Sequence, residues 1–294
     1  MFTIMLTWNK LKEILHNKNQ GVDYSVVKSL LRNKVLYLAG LINVNLRNNE
    51  EWKELSRRRK LQLEALAEFS DVAERLGVRY VIVKTFKLFP YVPDDIDILI
   101  LDSDMIYDIV SELIKKGFKV RSKGTPEITL TKVAFKTFVN LDIHSKMAAG
   151  EYVYYPSEIL WQNARKVVIN HARLNVASWD DECVLTIAHA IMKEFEVLAS
   201  DILQFTLCKK KGYIKFEDLK RTGHVKTYEV FSRIYRMIVQ ENKTLPHRVS
   251  LIEVVLVYMY NVNHRVRAEK LKPIYELMSF PKAKGIKKLV YGMI

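Results

Sequence analysis

The chain has 294 residues, 49% of them hydrophobic and 27% charged, a composition typical of a folded globular protein and not of a disordered one. Its formal net charge is +14, and residues 201–294 carry net +11, with 19 Lys and Arg against 8 Asp and Glu. No stretch approaches about eighteen uninterrupted apolar residues, and the N-terminus lacks the basic region of a signal peptide, so we expect no membrane span.

Two further features of the composition bear on location and partners. Only two cysteines are present, Cys183 and Cys208, too few for a disulfide framework or a zinc cluster, which favours a reducing cytoplasm. The positive charge is concentrated in the last third of the chain, which favours a nucleic-acid partner because a basic segment attracts polyanions. Solubility alone is the alternative explanation for such charge.

The N-terminal segment, residues 1–77, shows the apolar spacing of helices. The longest predicted helix runs from about Glu50 to Leu76, and Gly77 is a natural C-terminal stop. A compact α/β portion, residues 78–177, follows. Its predicted strands are Arg79–Val83, Asp95–Leu101, Phe118–Arg121, Glu127–Val133, Lys136–Ile143 and Lys166–Val176, with a helix at Asp104–Lys116 and a short one near Ser157–Ala164.

Three aspartates stand inside the apolar strands. Asp95 and Asp97 point the same way from one predicted strand, about 6.6 Å apart along the chain, and Asp142 lies with Asn140 and His144 on one face of another. If these strands are neighbours, the three carboxylates converge, and a hard divalent cation such as Mg²⁺ or Mn²⁺ relieves their repulsion. The alternative is a set of solvated residues at strand ends, but acids framed by apolar residues lose hydration and need partners.

The C-terminal segment, residues 178–294, is predicted to be helical and basic. Ser178 and Asp181 form a capping box for a helix over Trp179–Ala199, on which His189 and Lys193 share one face. The further helices are predicted at Ile202–Lys210, Lys226–Gln240, Val249–Val262 and Leu271–Met278. The fold class is therefore α+β: a small mixed sheet with helices on one side, flanked by an N-terminal helical segment and a C-terminal helical lobe.

The motif over residues 83–98 resembles the signature of the nucleotidyltransferase superfamily, which includes DNA polymerase beta. That signature is a hydrophobic residue, a small pair, a short gap, two acids around an apolar residue, and a third acid on a later strand. Val83-Lys84-Thr85, Asp95-Ile96-Asp97-Ile98 and Asp142 occupy these places. The run VNLDIHSKM at 139–147 and the run DDECVLTIAHA at 180–190 are also similar to the uncharacterised bacterial and archaeal members.

The resemblance implies a catalytic and metal-binding set and a mechanism. Asp95, Asp97 and Asp142 would hold two Mg²⁺ (or Mn²⁺) ions, which orient a nucleoside triphosphate such as ATP and activate an acceptor hydroxyl. Lys84, Thr85, His189 and Lys193 are the candidate nucleotide-binding residues. Lys84-Thr85 departs from the usual small pair, and three interpretations remain. Lys84 adds a cation for the phosphates while the Thr85 hydroxyl replaces the usual serine, or the loop is rearranged, or triphosphate binding is lost. We favour the first.

The basic last third favours RNA, such as tRNA, as the acceptor of the nucleoside monophosphate. The alternatives are the same transfer to a small molecule or to a side chain of a partner protein, and a catalytically inactive relative that binds nucleic acid.

Overall fold

The computed structural model describes residues 5–17, 21–124, 127–134, 136–149 and 152–265. The predicted helix over 271–278 and the basic tail after it lie outside these residues. Within them, no helix combines the length and the apolar character needed to cross a bilayer.

Eleven α-helices are described in this part of the chain: α1 Trp8–His16, α2 Tyr24–Arg32, α3 Leu36–Ile42, α4 Glu50–Leu76, α5 Ile106–Lys115, α6 Ser157–Gln162, α7 Trp179–His189, α8 Ala199–Lys211, α9 Phe216–Thr222, α10 Val225–Val239 and α11 Leu251–Arg265. The strands are β1 Leu6–Thr7, β2 Tyr80–Val83, β3 Asp95–Ile100, β4 Lys119–Lys123, β5 Glu127–Ala134, β6 Thr137–His144, β7 Met147–Ala149, β8 Tyr152–Tyr155, β9 Arg165–Ile169, β10 Ala172–Val176, β11 Glu196–Val197, β12 Thr244–Leu245 and β13 His247–Arg248.

Seven strands form the central sheet, in the order β4-β5-β6-β3-β2-β10-β9. The pairs β3–β6 and β2–β10 are parallel, and the remaining pairs are antiparallel. This mixed sheet, flanked by helices, confirms the predicted α+β class.

One face of the sheet packs on the helices α4 and α5. Alternation along β3 sends Ile96 and Ile98 to this face, and they meet Phe69 of α4 and Ile109 of α5 in one buried cluster. The same alternation sends Asp95 and Asp97 to the opposite face. Burial of the apolar side chains on the helices therefore fixes the direction of the acids.

The opposite face is covered in part by helices from both ends of the chain. Val83 and Leu99 of the sheet belong to a second buried cluster that joins Leu30 of the N-terminal helices to Val184 and Phe231 of the C-terminal helices. The division into segments 1–77, 78–177 and 178–294 stays a prediction. Residues that are distant in sequence therefore share one hydrophobic core beside the acids.

Three local predictions need correction. The predicted helix over 179–199 begins as expected, because the Ser178 hydroxyl accepts the Asp181 N–H at 3.1 Å, but α7 ends at His189 and continues as a π-helical turn over Ala190–Glu194. The chain then leaves the helix at Phe195, which has a φ of 54°, and β11 pairs with β13. The predicted strand over 166–176 is a hairpin of β9 and β10.

The two cysteines are the third correction. Cys183 of α7 and Cys208 of α8 are joined in a disulfide, and both are buried. Their separation of 25 residues gave no sign of this pairing, because only helix packing brings α7 beside α8. The cysteine count therefore missed one disulfide, and the cytoplasmic location stays a prediction.

Candidate active site

The parallel pairing of β3 with β6 places the acidic residues. Asp97 lies beside Asp142, and Asp95 lies beside Asn140. Neighbouring strands are about 4.8 Å apart, so Asp97 and Asp142 are lateral neighbours on the same face. Asp95 is one step away along the strand, and its Oδ1 accepts a hydrogen bond from Asn140 Nδ2 at 2.7 Å.

His144 completes a group of three potential ligands. Oxygen or nitrogen atoms of Asp97, Asp142 and His144 all lie within 4.8 Å of one another. His144 Nε2 is 2.9 Å from Asp97 Oδ1, and its Nδ1 is 3.4 Å from Glu127 Oε2. His144 shares a strand face with Asp142, but its hydrogen bond is with Asp97.

Asp142 is the least satisfied acid of the group. Its Oδ1 is buried and has no hydrogen-bond partner in the described part of the chain. Burial, reinforced by the negative charges of Asp97 and Glu127, raises the pKa of Asp142 to about 7. A buried carboxylate oxygen without a donor costs stability, and its position is open to a cation or a substrate group.

Lys84 contacts the site directly. Its Nζ lies 2.6 Å from Asp97 Oδ1, with both side chains largely buried. Burial alone would raise the pKa of Asp97, but the Lys84 ammonium and the hydrogen bond with His144 outweigh it and hold that pKa well below its usual value. Lys84 has a φ of 57°, the left-handed conformation that favours glycine. The backbone at this motif position therefore has a conformation that glycine adopts more easily than lysine does.

The loop after β2 is held by side chains of α7 and α8. Glu182 Oε1 accepts the Lys84 N–H at 2.7 Å, and Gln204 Oε1 accepts the Leu88 N–H at 2.9 Å. Asp201 lies 3.3 Å from Lys87 Nζ. Burial raises the pKa of Glu182 to about 8, against the opposing effect of the Lys84 N–H. Because the Lys84 N–H donates to Glu182, it is not available to a ligand, and only the Lys84 side chain faces the cavity.

The acids open onto a cavity of about 420 Å³ between the sheet, the end of α2, and the π-helical turn. Five cationic side chains line it, and each lies within 4.0 Å of an acidic side chain. The pairs are Arg32–Glu196 (3.5 Å), Lys34–Asp94 (2.9 Å), Lys84–Asp97 (2.6 Å), Lys87–Asp201 (3.3 Å) and Lys193–Glu127 (4.0 Å). An anionic ligand entering this cavity exchanges partners with these acids, and Lys193 has the longest contact to give up.

The other predicted nucleotide-binding residues divide into two groups. His189 and Lys193 line the cavity from the π-helical turn, a feature that is frequent at functional sites. Burial lowers the pKa of His189 well below its usual value, with Lys84 and Lys193 adding to the effect. Thr85 is buried and does not line the cavity. Its hydroxyl donates to the Val83 carbonyl at 3.1 Å.

Several lining residues escaped the sequence analysis. Arg32 and Lys34 come from an N-terminal segment that shows no motif, and Lys87 and Tyr91 lie in the gap of the motif. Only the spacing of the gap after Lys84 gave a signal, since residues in it must pass close to the acids.

The donor set fits a hard divalent cation. Asp97 and Asp142 supply carboxylate oxygens, His144 supplies an imidazole nitrogen, and Asp142 Oδ1 has no other partner. Lys84 shares Oδ1 of Asp97, so a cation there competes with its ammonium.

Comparisons with known proteins found a family match and several similar solved structures. Residues 93–208 match the family described as uncharacterised nucleotidyltransferase, and no curated protein matches the chain. The fold is similar to a solution structure of the antibiotic-resistance factor ANT(2'')-Ia, at 13% identity and a TM-score of 0.40 over 60% of this chain and 95% of that one.

Two further solved structures are similar at the same level. A crystal structure of ANT(2'')-Ia in complex with adenylyl-2''-tobramycin has 12% identity and a TM-score of 0.40, over 59% of this chain and 99% of that one. A nucleotidyltransferase-like protein from Paracoccidioides brasiliensis has 13% identity and a TM-score of 0.43, over 65% and 94%. Residues 93–208, which contain all three aspartates, are therefore similar to a nucleotidyltransferase family, as the motif predicts.

Proposed function

We propose that this protein transfers a nucleoside monophosphate from a nucleoside triphosphate, such as ATP, to an acceptor hydroxyl on RNA, in a reaction that depends on Mg²⁺ or Mn²⁺. The observation that carries the proposal is the pairing of Asp97 with Asp142 below a cavity lined by cations. A site with clustered acids and a site for phosphates meet here, as phosphoryl transfer requires.

Asp97 and Asp142, with His144, are the residues that would hold a first divalent ion, and Asp95 with Asp97 would hold the second ion that the motif implies. Such ions supply positive charge for the phosphates and acidity for the acceptor hydroxyl. Oδ1 of Asp97 is already shared by Lys84 and His144. Occupancy by two ions therefore requires the Lys84 ammonium to move from Asp97 to the phosphates.

The remaining roles follow from position in the cavity. Lys84, Lys87 and Lys193 neutralise phosphate oxygens, and the unpartnered Oδ1 of Asp142 is placed to accept the proton of the acceptor hydroxyl. His189, held neutral by burial, donates or accepts a hydrogen bond without adding charge. Thr85 supports the loop through its backbone contact and does not bind phosphate in this proposal.

RNA is proposed as the acceptor because of charge. The last third of the chain has a net charge of +11, which attracts a polyanion. A partner protein whose side chain accepts the nucleotide is a further possibility for the same chemistry, and its test is labelled protein in a lysate.

The test is transfer of label from each α-labelled nucleoside triphosphate to total RNA, with Mg²⁺ or Mn²⁺. We expect labelled RNA from the wild type and none from Asp97→Asn. Asp108→Asn is the matched control, since Asp108 is exposed on α5 and makes no ion pair in the described part of the chain. Equal labelling by Asp97→Asn and the wild type contradicts the assignment of the site.

A small cationic acceptor is a second candidate, favoured by the acids that line the cavity mouth. Asp94, Glu194, Glu196 and Asp201 could bind ammonium groups of a polyamine or an amino sugar. Each of them already contacts a cationic or imidazole side chain, which weakens this candidate. Label transferred to such acceptors in the absence of RNA would favour it over RNA.

A further inference from the structure

An exposed aromatic side chain lies on the same face of the sheet as the acids. Phe138, Asn140 and Asp142 alternate along β6, so their side chains point the same way. Asn140 is buried, whereas Phe138 is 41% exposed. Four residues of extended strand separate Phe138 from Asp142 by about 13 Å. Phe138 therefore stands at the start of a path that ends at the proposed catalytic group.

Cationic side chains surround Phe138. The guanidinium carbons of Arg58 and Arg121 lie 5.6 Å and 5.9 Å from the centre of its ring. Arg121 reaches the ring at a register shift between Val120 and Ser122, an irregularity that redirects side chains at a sheet edge. Lys119 and Lys136 line the same groove, which has a volume of about 700 Å³. We name Phe138, Arg58, Lys119, Arg121 and Lys136 the Phe138 surface.

Most of the positive charge of the Phe138 surface is not neutralised by residues that the structure describes. Lys119, Arg121 and Lys136 are exposed and form no ion pair with any residue that the structure describes. Arg58 contacts Asp94 at 3.6 Å. The five cations of the catalytic cavity all lie near an acid, so these three differ from them. Free positive charge beside a solvent-exposed ring is complementary to a ligand with both phosphates and flat bases.

We propose that the Phe138 surface binds the single-stranded 3′ end of the RNA acceptor, an inference that rests on the proposed function above. A base stacks on Phe138, and Lys119, Arg121 and Lys136 contact the phosphates that flank it. The strand then follows β6 toward Asp142, where its terminal hydroxyl meets the nucleotide. A single strand is favoured over a duplex because paired bases do not expose their faces for stacking.

Binding of a short fluorescent single-stranded RNA, measured by anisotropy without nucleoside triphosphate, tests this proposal. We expect Phe138→Ala to weaken binding about tenfold and to leave the salt dependence unchanged, because base stacking carries no charge. We expect Arg121→Gln to reduce the slope of log affinity against log salt by about 0.7, the loss of one phosphate contact. Phe138→Tyr keeps the ring and should bind as the wild type does.

Arg173→Gln is the matched control, because Arg173 is an exposed arginine of the same sheet, on β10, away from the Phe138 surface. Wild-type affinity in Phe138→Ala overturns the proposal, as does tighter binding of an RNA duplex or of single-stranded DNA than of single-stranded RNA. Binding that depends on Phe138 while no RNA is labelled in the transfer assay counts against the proposed function and not against this surface. Thermal unfolding verifies that each variant is folded.

Discussion

Replacement of Lys84 tests whether its ammonium stands where a cation competes for Asp97. Lys84→Met removes the charge 2.6 Å from Asp97 Oδ1 but keeps side-chain volume and the left-handed backbone. Breaking a buried ion pair while leaving one charge in place costs about 3–5 kcal/mol, and we expect about 3 kcal/mol here because His144 still contacts Asp97. For a chain of this length, 3 kcal/mol lowers the melting temperature by about 5 °C in the presence of a chelator.

Divalent ions should reverse most of this loss. Mn²⁺ at about a hundred times its Kd stabilises the folded state by about 2.7 kcal/mol, close to the loss from the missing ammonium. The assay is thermal unfolding with chelator and with Mn²⁺, together with Mn²⁺ affinity from calorimetry. We expect Lys84→Met to bind Mn²⁺ more tightly than the wild type. An unchanged melting temperature in chelator, or unchanged Mn²⁺ affinity, would refute the competition between Lys84 and the ion.

Two comparison variants separate charge from backbone. Lys84→Gly also removes the ammonium but relieves the left-handed φ of 57°, so it should lose about 1 kcal/mol less stability than Lys84→Met. Lys193→Met removes a lining cation whose nearest acid, Glu127, is 4.0 Å away, and we expect a change within about 0.5 kcal/mol. If Lys193→Met were as unstable as Lys84→Met, the effect would belong to the cavity as a whole.

Three further predictions concern stability. Asp142→Asn should raise the free energy of unfolding in chelator by about 1 kcal/mol, because it removes a buried carboxylate beside Asp97 whose Oδ1 has no donor among the described residues, and calorimetry should show lost Mn²⁺ binding. In the folded state the pKa of Glu182 is about 8, above its ordinary value, so the folded protein binds a proton that the unfolded chain has released. Stability should therefore fall as the pH rises from about 4.5 to about 8. Urea unfolding should show that Glu182→Gln flattens this decline. Thiol reagents should label neither Cys183 nor Cys208 in the native protein, and replacing both by alanine should cost about 3 kcal/mol in denaturant unfolding.

The acidic core of the site could be predicted because it depends on local rules. Alternation along a strand fixes that Asp95 and Asp97 share a face and that Asp142 faces away from the apolar side chains around it. The register between the strands could not be predicted, since it depends on how β5 and β6 pair and on which helices cover the sheet. The structure sets Asp97, and not Asp95, beside Asp142, so Asp97 is the acid that shares a cation with Asp142 under the proposed function.

The cavity walls could not be predicted because they depend on packing between distant parts of the chain. Lys34 follows the end of α2, more than sixty residues before Asp97 in sequence, and belongs to no motif. The break of the predicted helix at His189 had a similar origin. Its helical pattern continues past the break, but the pairing of β11 with β13 pulls the chain away, and this pairing joins residues about fifty apart.

The loop after β2 is tied to the helices α7 and α8. Glu182, Gln204 and Asp201 hold the loop at three points, so α7 and α8 fix the position of Lys84 relative to Asp97. In the usual motif, small residues let the loop backbone itself approach the phosphates. Here the Lys84 N–H donates to Glu182, and under the proposed function the Lys84 side chain contacts the phosphates instead. These contacts stabilise the left-handed backbone conformation of Lys84, which glycine would otherwise adopt more easily. A lysine is therefore tolerated at this position of the motif.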